Sequence, residues 1–304
     1  MHIEKNVTLC EVGPRDGLQN EFKVLTINEK LEIINSISES GFMVIEVGSF
    51  MNPKAVPQMA NTDEVFLRID KKIGVEYRAL IANIKGVERA AKCGCKKVKL
   101  NVSASRAHNL ANLNCTPEET VAGFKNCVEE AKKNDIGISG SISMPFGSPW
   151  EKIIPIEDVK SIIKAYITCG ITEISLSDAA GVAIPNQVFD ICTAVKKEFP
   201  QIKWWLHFHN TRGLAIANIL AGMQAGFTNF DTSFAGIGGC PFVPGAAGNV
   251  ASEDVIHMLS EMKINTGIDI DKVIGTGKKI REIIGHTTDS YILRAGKSSE
   301  LIQI

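Results

Sequence analysis

Two histidines one residue apart, His207 and His209, are where the chemistry of this 304-residue chain is read first. They close a short apolar run, residues 202–206, and the turn-type residues Asn210, Thr211, Arg212 and Gly213 follow at once. Such a run reads as a buried strand that ends at its C-terminal edge. Side chains alternate along a strand, so Trp205, His207 and His209 share one face while Trp204, Leu206 and Phe208 share the other. Two imidazoles on one face suit two ligands of one metal ion, provided carboxylates or amides elsewhere complete the shell. The plainer reading is a pair of strand histidines that hydrogen-bond locally.

Asp16 and Asn249 are the candidates for completing that shell, through a carboxylate and an amide oxygen. An oxygen and nitrogen donor set without thiolate suits an octahedral divalent ion, Mg²⁺ or Mn²⁺, better than structural zinc. Asp16 alone reads equally as a turn aspartate before Gly17; with both histidines at the same mouth, the ligand reading prevails. Arg15 would set a permanent cation beside the metal, able to stabilise an oxyanion or enolate, or else form a salt bridge with Glu46. Glu46 is expected to orient Arg15. Asp178 either holds a metal-bound water or the substrate, or caps a nearby helix. Cys240 sits in the glycine-rich stretch Gly236-Ile237-Gly238-Gly239-Cys240-Pro241. That stretch reads as a lid delivering an acid or base, or as a tight turn with an inert thiol. Cys93 and Cys95 lack a second metal-binding pair and read as structural, and His108 is placed where substrate is touched.

These candidates need a scaffold that gathers them. Strand patterns at 7–12, 43–47, 77–82, 97–102, 136–143, 173–177, the histidine run and 229–233 alternate with helical patterns. The helices are expected near 28–40, 64–71, 85–93, 117–133, 156–169, 185–199 and 214–225, with Thr116 as N-cap and Pro117 in the first turn of the fourth. Eight strand-helix units predict a (β/α)8 TIM barrel, favoured over a doubly wound sheet because eight strands pass without a reversal. Residues of about 254–304 are expected as a C-terminal helical extension within one domain spanning 1–304. Function in such a barrel sits just after the strands, where Arg15, Asp16, Glu46, Asp178, His207 and His209 fall.

A net charge of −1 gives no electrostatic reason to expect nucleic acid or an anionic membrane as partner. No apolar run approaches the roughly 20 residues that span a bilayer. Eight scattered cysteines read as reduced thiols, and with no signal-like N-terminus a cytoplasmic location is expected. A homo-oligomer, a dimer first, is expected, although no residue pattern sets the number of copies.

The segments Gly13-Pro14-Arg15-Asp16-Gly17-Leu18-Gln19-Asn20-Glu21, Ile45-Glu46-Val47-Gly48-Ser49-Phe50, Val56-Pro57-Gln58-Met59, His207-Phe208-His209, Gly238-Gly239-Cys240-Pro241 and Gly248-Asn249 together resemble 3-hydroxy-3-methylglutaryl-CoA lyases. These are TIM-barrel, metal-dependent lyases, and the resemblance covers essentially the whole chain. It implies that Asp16, His207, His209 and Asn249 bind the cation, that Arg15 stabilises a thioester enolate, that Glu46 and Asp178 support the site, and that Cys240 is the mobile-loop catalytic cysteine. It also implies an acyl-CoA substrate, chelated through its tertiary hydroxyl and distal carboxylate and cleaved by a retro-Claisen reaction to acetyl-CoA and acetoacetate. Departures fall where substrate is read: Asn210-Thr211-Arg212 where Asp-Thr-Tyr is common, Ser143-Met144-Pro145-Phe146-Gly147 without a cysteine, and Arg106 where an acidic residue is common. Those departures leave open a related thioester such as citramalyl-CoA or a longer 3-alkyl-3-hydroxyglutaryl-CoA, with Lys54, Arg106 or Arg212 meeting a carboxylate or phosphate. Behind them stand an isopropylmalate-type synthase and a non-catalytic metal-binding barrel.

Overall fold

Strands whose two faces differ this much, branched apolar residues on one and charged or small residues on the other, are both satisfied when the sheet closes on itself. The computed structural model describes residues 3–239 and 247–300. In it eight parallel strands close in sequence order: β1 Thr8–Glu11, β2 Val44–Ser49, β3 Glu76–Ile81, β4 Lys97–Ser103, β5 Gly137–Ser143, β6 Glu173–Asp178, β7 Lys203–Phe208 and β8 Asn229–Thr232. Ile45, Val98, Leu206 and Phe230 belong to the large buried cluster shared with the helices. Their neighbours Glu46, Lys99, His207 and Asp231 take the opposite phase and meet one another inside the barrel. The expected alternation in β7 is present, with Trp205 in a small interior cluster with Cys10, Val12 and Val44, and Trp204, Leu206 and Phe208 in the outer core.

The helices are α1 Ile27–Glu39, α2 Thr62–Arg68, α3 Ile84–Lys92, α4 Arg106–Leu113, α5 Pro117–Ala122, α6 Phe124–Lys133, α7 Ile156–Thr168, α8 Pro185–Glu198, α9 Ala215–Gln224, α10 Ser252–Glu261, α11 Ile270–Ile284 and α12 Tyr291–Ala295. Thr116 caps α5 through a reciprocal box with Glu119, a device worth about 1 kcal/mol. The long helix expected over 117–133 is instead two, divided at Gly123, whose amide closes a tighter turn onto Thr120. The short helix α4 has no counterpart among the expected elements. Its two asparagines and single turn of apolar spacing read as loop, yet Ser105 caps it and the buried Asn109 ties it to Ser103, Cys115 and Thr120.

After β8 the chain turns through a one-turn helix, Phe234–Gly236, and α10 starts at Ser252. Asp254 on α10 accepts from Ser290 and from the amides of Tyr291 and Ile292, which fixes α12. Ser36 on α1 meets Thr276 on α11 at 2.7 Å, so the C-terminal helices brace the first barrel helix. Among the described residues no helix is long and apolar enough to cross a membrane.

Candidate metal centre and active site

Asp16 and Arg15 owe their aim to a π-helical turn, Gly13–Gly17, that leaves β1 directly. The amides of Arg15, Asp16 and Gly17 all reach back to the carbonyl of Val12, at 3.0, 2.7 and 3.4 Å. Pro14 at the start of that turn lacks the amide that would otherwise go unpaired. The turn buries both charged side chains at the barrel mouth.

There they meet the histidines of β7. The Nε2 atoms of His209 and His207 lie 3.3 and 3.7 Å from Oδ2 of Asp16, and one donor atom from each of the three residues falls within 4.8 Å of the others. Among the described residues this is the one cluster of histidine, cysteine and carboxylate groups that could hold a metal ion. Nδ1 of His207 faces Oδ2 of Asp231 at 3.2 Å, which leaves the Nε2 lone pair turned to the cluster. Burial alone would raise the Asp16 carboxyl, but Arg15 and then the two histidines outweigh it and hold it well below the carboxylate range.

A second set of charges backs the first. Arg15 pairs with both Asp16 and Glu46. Glu46 meets the buried ammonium of Lys99 at 2.7 Å, and Lys99 meets Asp231 at 3.1 Å. The result is a closed circuit of contacts, Arg15, Glu46, Lys99, Asp231, His207 and Asp16, in which sign alternates along Arg15, Glu46, Lys99 and Asp231. Burial pushes Glu46 up, while Arg15 and Lys99 draw it down below its ordinary value.

Asn249 lies beside the cluster, bridged to His209 by an isolated antiparallel contact. Its Nδ2 donates to Asp16 at 2.8 Å and to the carbonyl of Ile237 at 3.1 Å, and its buried Oδ1 has no hydrogen-bond partner among the described residues. A buried amide oxygen left over beside two imidazoles and a carboxylate is the donor a hard divalent ion would use. Gly238, at φ +124°, makes room for it, since a Cβ there would overlap the Asn249 amide. Asp178 is placed differently: its two oxygens take the amides of Val182 and Ala183 at 3.0 and 2.9 Å, so its immediate task is to fix the loop after β6. Cys240 lies outside the described residues.

The mouth encloses a cavity of about 360 Å³ whose walls include Arg15, Asp16, both histidines, Asn101, Ser143, Ser177, His108 and Asn112. Burial lowers His108 to about 4, which keeps its ring neutral. Arg106 pairs with Glu118, and Arg212 donates to the carbonyls of Ala180 and Gly181. Neither they nor Lys54 lines the cavity.

The HMGL-like family model matches residues 6–280. The chain belongs to that family. It is 40% identical over 299 residues to hydroxymethylglutaryl-CoA lyase YngG of Bacillus subtilis, covering 98% of this chain and all of that one. It is 39% identical over 295 residues to the 3-hydroxy-3-isohexenylglutaryl-CoA/hydroxy-methylglutaryl-CoA lyase of Pseudomonas aeruginosa, covering 97% and 98%. The solved structure of an HMG-CoA lyase from Acinetobacter baumannii, in complex with coenzyme A and 3-methylmalate, superposes with a TM-score of 0.95 at 38% identity, over 100% of this chain and 99% of that one.

Two carboxylates behind the mouth of this HMGL-like barrel went unnoticed in the sequence. Glu11 accepts from the amides of Gly13 and Phe234, and Glu253 from the amide of Ala235, so together they anchor the turn from which the glycine-rich loop departs. Burial pushes each up to about 8. The folded state therefore holds protons that the unfolded chain releases near 4.5, and stability is expected to fall as pH rises from there through about 8, by a few kcal/mol in order of magnitude. Urea midpoints at pH 5 and pH 8.5 check this. The gap between them is expected to narrow in Glu253→Gln, and an unchanged gap refutes the assignment. Lys99 and Asp231 were also missed. The local signal is weak, because Lys99 shares its phase of β4 with Lys97, Asn101 and Ser103, and β8 has Phe230 as its one large apolar residue.

Proposed function

We propose that this protein cleaves (S)-3-hydroxy-3-methylglutaryl-CoA to acetyl-CoA and acetoacetate by a retro-Claisen reaction. The observation that carries the reading is the Arg15 guanidinium in the wall of the same cavity as the Asp16, His207 and His209 cluster. A divalent cation, Mg²⁺ or Mn²⁺, held by those three residues and by Oδ1 of Asn249 would polarise the hydroxyl and carboxylate oxygens of the substrate and ease loss of the hydroxyl proton.

The remaining work falls to the chain's own groups. As a base removes the hydroxyl proton, that oxygen becomes the ketone oxygen of acetoacetate. The C2–C3 bond breaks and its electron pair stays on C2 as the thioester enolate. Arg15 sets a fixed positive charge toward the enolate oxygen, and Glu46 holds the guanidinium there. Asp178 supports the site by fixing the loop after β6. To Cys240 we assign delivery of the proton to C2 that completes acetyl-CoA.

Release of acetyl-CoA and acetoacetate in equal amounts from this substrate with Mg²⁺ tests the proposal. Turnover is expected to vanish in excess chelator and to return with Mn²⁺. A folded, metal-loaded protein that leaves the substrate intact overturns it.

A further inference from the structure

Lys99 is 3% exposed in the middle of β4, where the inward phase of a barrel strand ordinarily holds a branched or small apolar residue. Its ammonium has two carboxylate partners and each leads to a different arm of the mouth. Through Glu46, at 2.7 Å, it reaches Arg15. Through Asp231, at 3.1 Å, it reaches Nδ1 of His207. Oδ2 of Asp231 takes both the ammonium and the imidazole, while its Oδ1 has no hydrogen-bond partner among the described residues. Lys99 thus touches the same oxygen of Asp231 that faces the ring, and the Glu46 carboxylate that pairs with Arg15.

We propose that Lys99 is a positioning residue that braces both arms at once: it holds Asp231 so that His207 presents Nε2 to the cation, and it holds Glu46 so that Arg15 stays against the cavity. Outer-shell partners of metal-ligating histidines commonly matter by 10–100-fold in affinity or activity. An ammonium between two carboxylates offsets charge on both, and an apolar residue of the same length leaves Glu46 with Arg15 alone and Asp231 with the His207 ring alone inside the barrel. The inference rests on the metal reading of the site, and its test separates the two.

The test measures Mn²⁺ affinity of the metal-free protein by calorimetry, in wild type, Lys99→Met, Asp231→Asn and the double variant, alongside kcat at saturating Mn²⁺. Lys99→Met is expected to raise the Mn²⁺ Kd by about 10-fold in the wild-type background and by less than about twofold once Asp231→Asn is present, because the same arm has already been cut. It is expected also to lower kcat at saturating Mn²⁺, through the Glu46 arm. Should Lys99→Met fail to fold, Lys99→Arg and Lys99→Gln replace it, with Arg expected to stay nearer wild type because it keeps the charge. Equal fold-changes in both backgrounds, or an unchanged Kd in the folded Lys99 variant, overturn the brace alone. A wild-type protein that binds no Mn²⁺ overturns the metal reading and the brace with it.

Discussion

Arg15→Met is expected to lower kcat by about 10²–10³-fold while leaving Mn²⁺ bound no more weakly than in wild type. The two halves of that expectation come from one position. Arg15 sits in the cavity wall beside the cluster, so under the proposed mechanism its charge would act on an enolate oxygen developing there, and the same charge would repel a cation held by Asp16. Removing it takes away transition-state stabilisation and a like-charge neighbour together. The side chain is buried between two carboxylates, and stripping one partner from such pairs costs several kcal/mol, about 3–5. Arg15→Lys therefore accompanies it, keeping the charge while losing the planar fork that reaches Asp16 and Glu46 together. A correctly folded Arg15→Met enzyme with kcat within about threefold of wild type would sink the enolate role.

Asp16→Asn is expected to strike both quantities. The carboxylate is the one anionic member of the cluster and accepts from Arg15 and Asn249 besides facing both histidines. An amide of the same shape offers the cation a neutral oxygen, and ligand charge is what chiefly tunes affinity at hard divalent sites. The Mn²⁺ Kd is expected to rise by at least about 100-fold and turnover to fall by about 10³-fold at a fixed, moderate metal concentration. Raising the metal concentration is then expected to restore part of the activity, which it cannot do for Arg15→Met. An Asp16→Asn protein that binds Mn²⁺ as wild type does would remove Asp16 from the ligand set. The contrast between the two variants, one blind to metal concentration and one governed by it, separates enolate stabilisation from metal binding within two adjacent residues.

The barrel was legible because its signals are local. Strand β7 announces itself by a short apolar run ended by turn residues, α5 by the Thr116 and Pro117 start, and all eight strands fall within a few residues of their expected places. Such patterns depend on neighbours one to four positions away. The helix α4 escaped because its stability comes from the buried Asn109, whose amide ties together Ser103, Cys115 and Thr120 and carries no periodic trace. The break at Gly123 escaped because a single glycine within a helical pattern is usually tolerated.

At the mouth the division is sharper. Strand alternation already put His207 and His209 on one face, and barrel logic put Arg15, Asp16 and Glu46 at the same end of the sheet. Tertiary structure alone decided which atoms meet. Register pairs His207 with Asp231 across β7 and β8. Closure of the sheet brings Lys99, 132 residues away, against that carboxylate. The loop after β6 turns the oxygens of Asp178 to its own amides instead of the cluster. The types of residue needed for this chemistry are written along the strands, because each strand's phase is set locally. Their partners are not, because a pairing between strands depends on the shear of the closed barrel, which belongs to all eight strands at once.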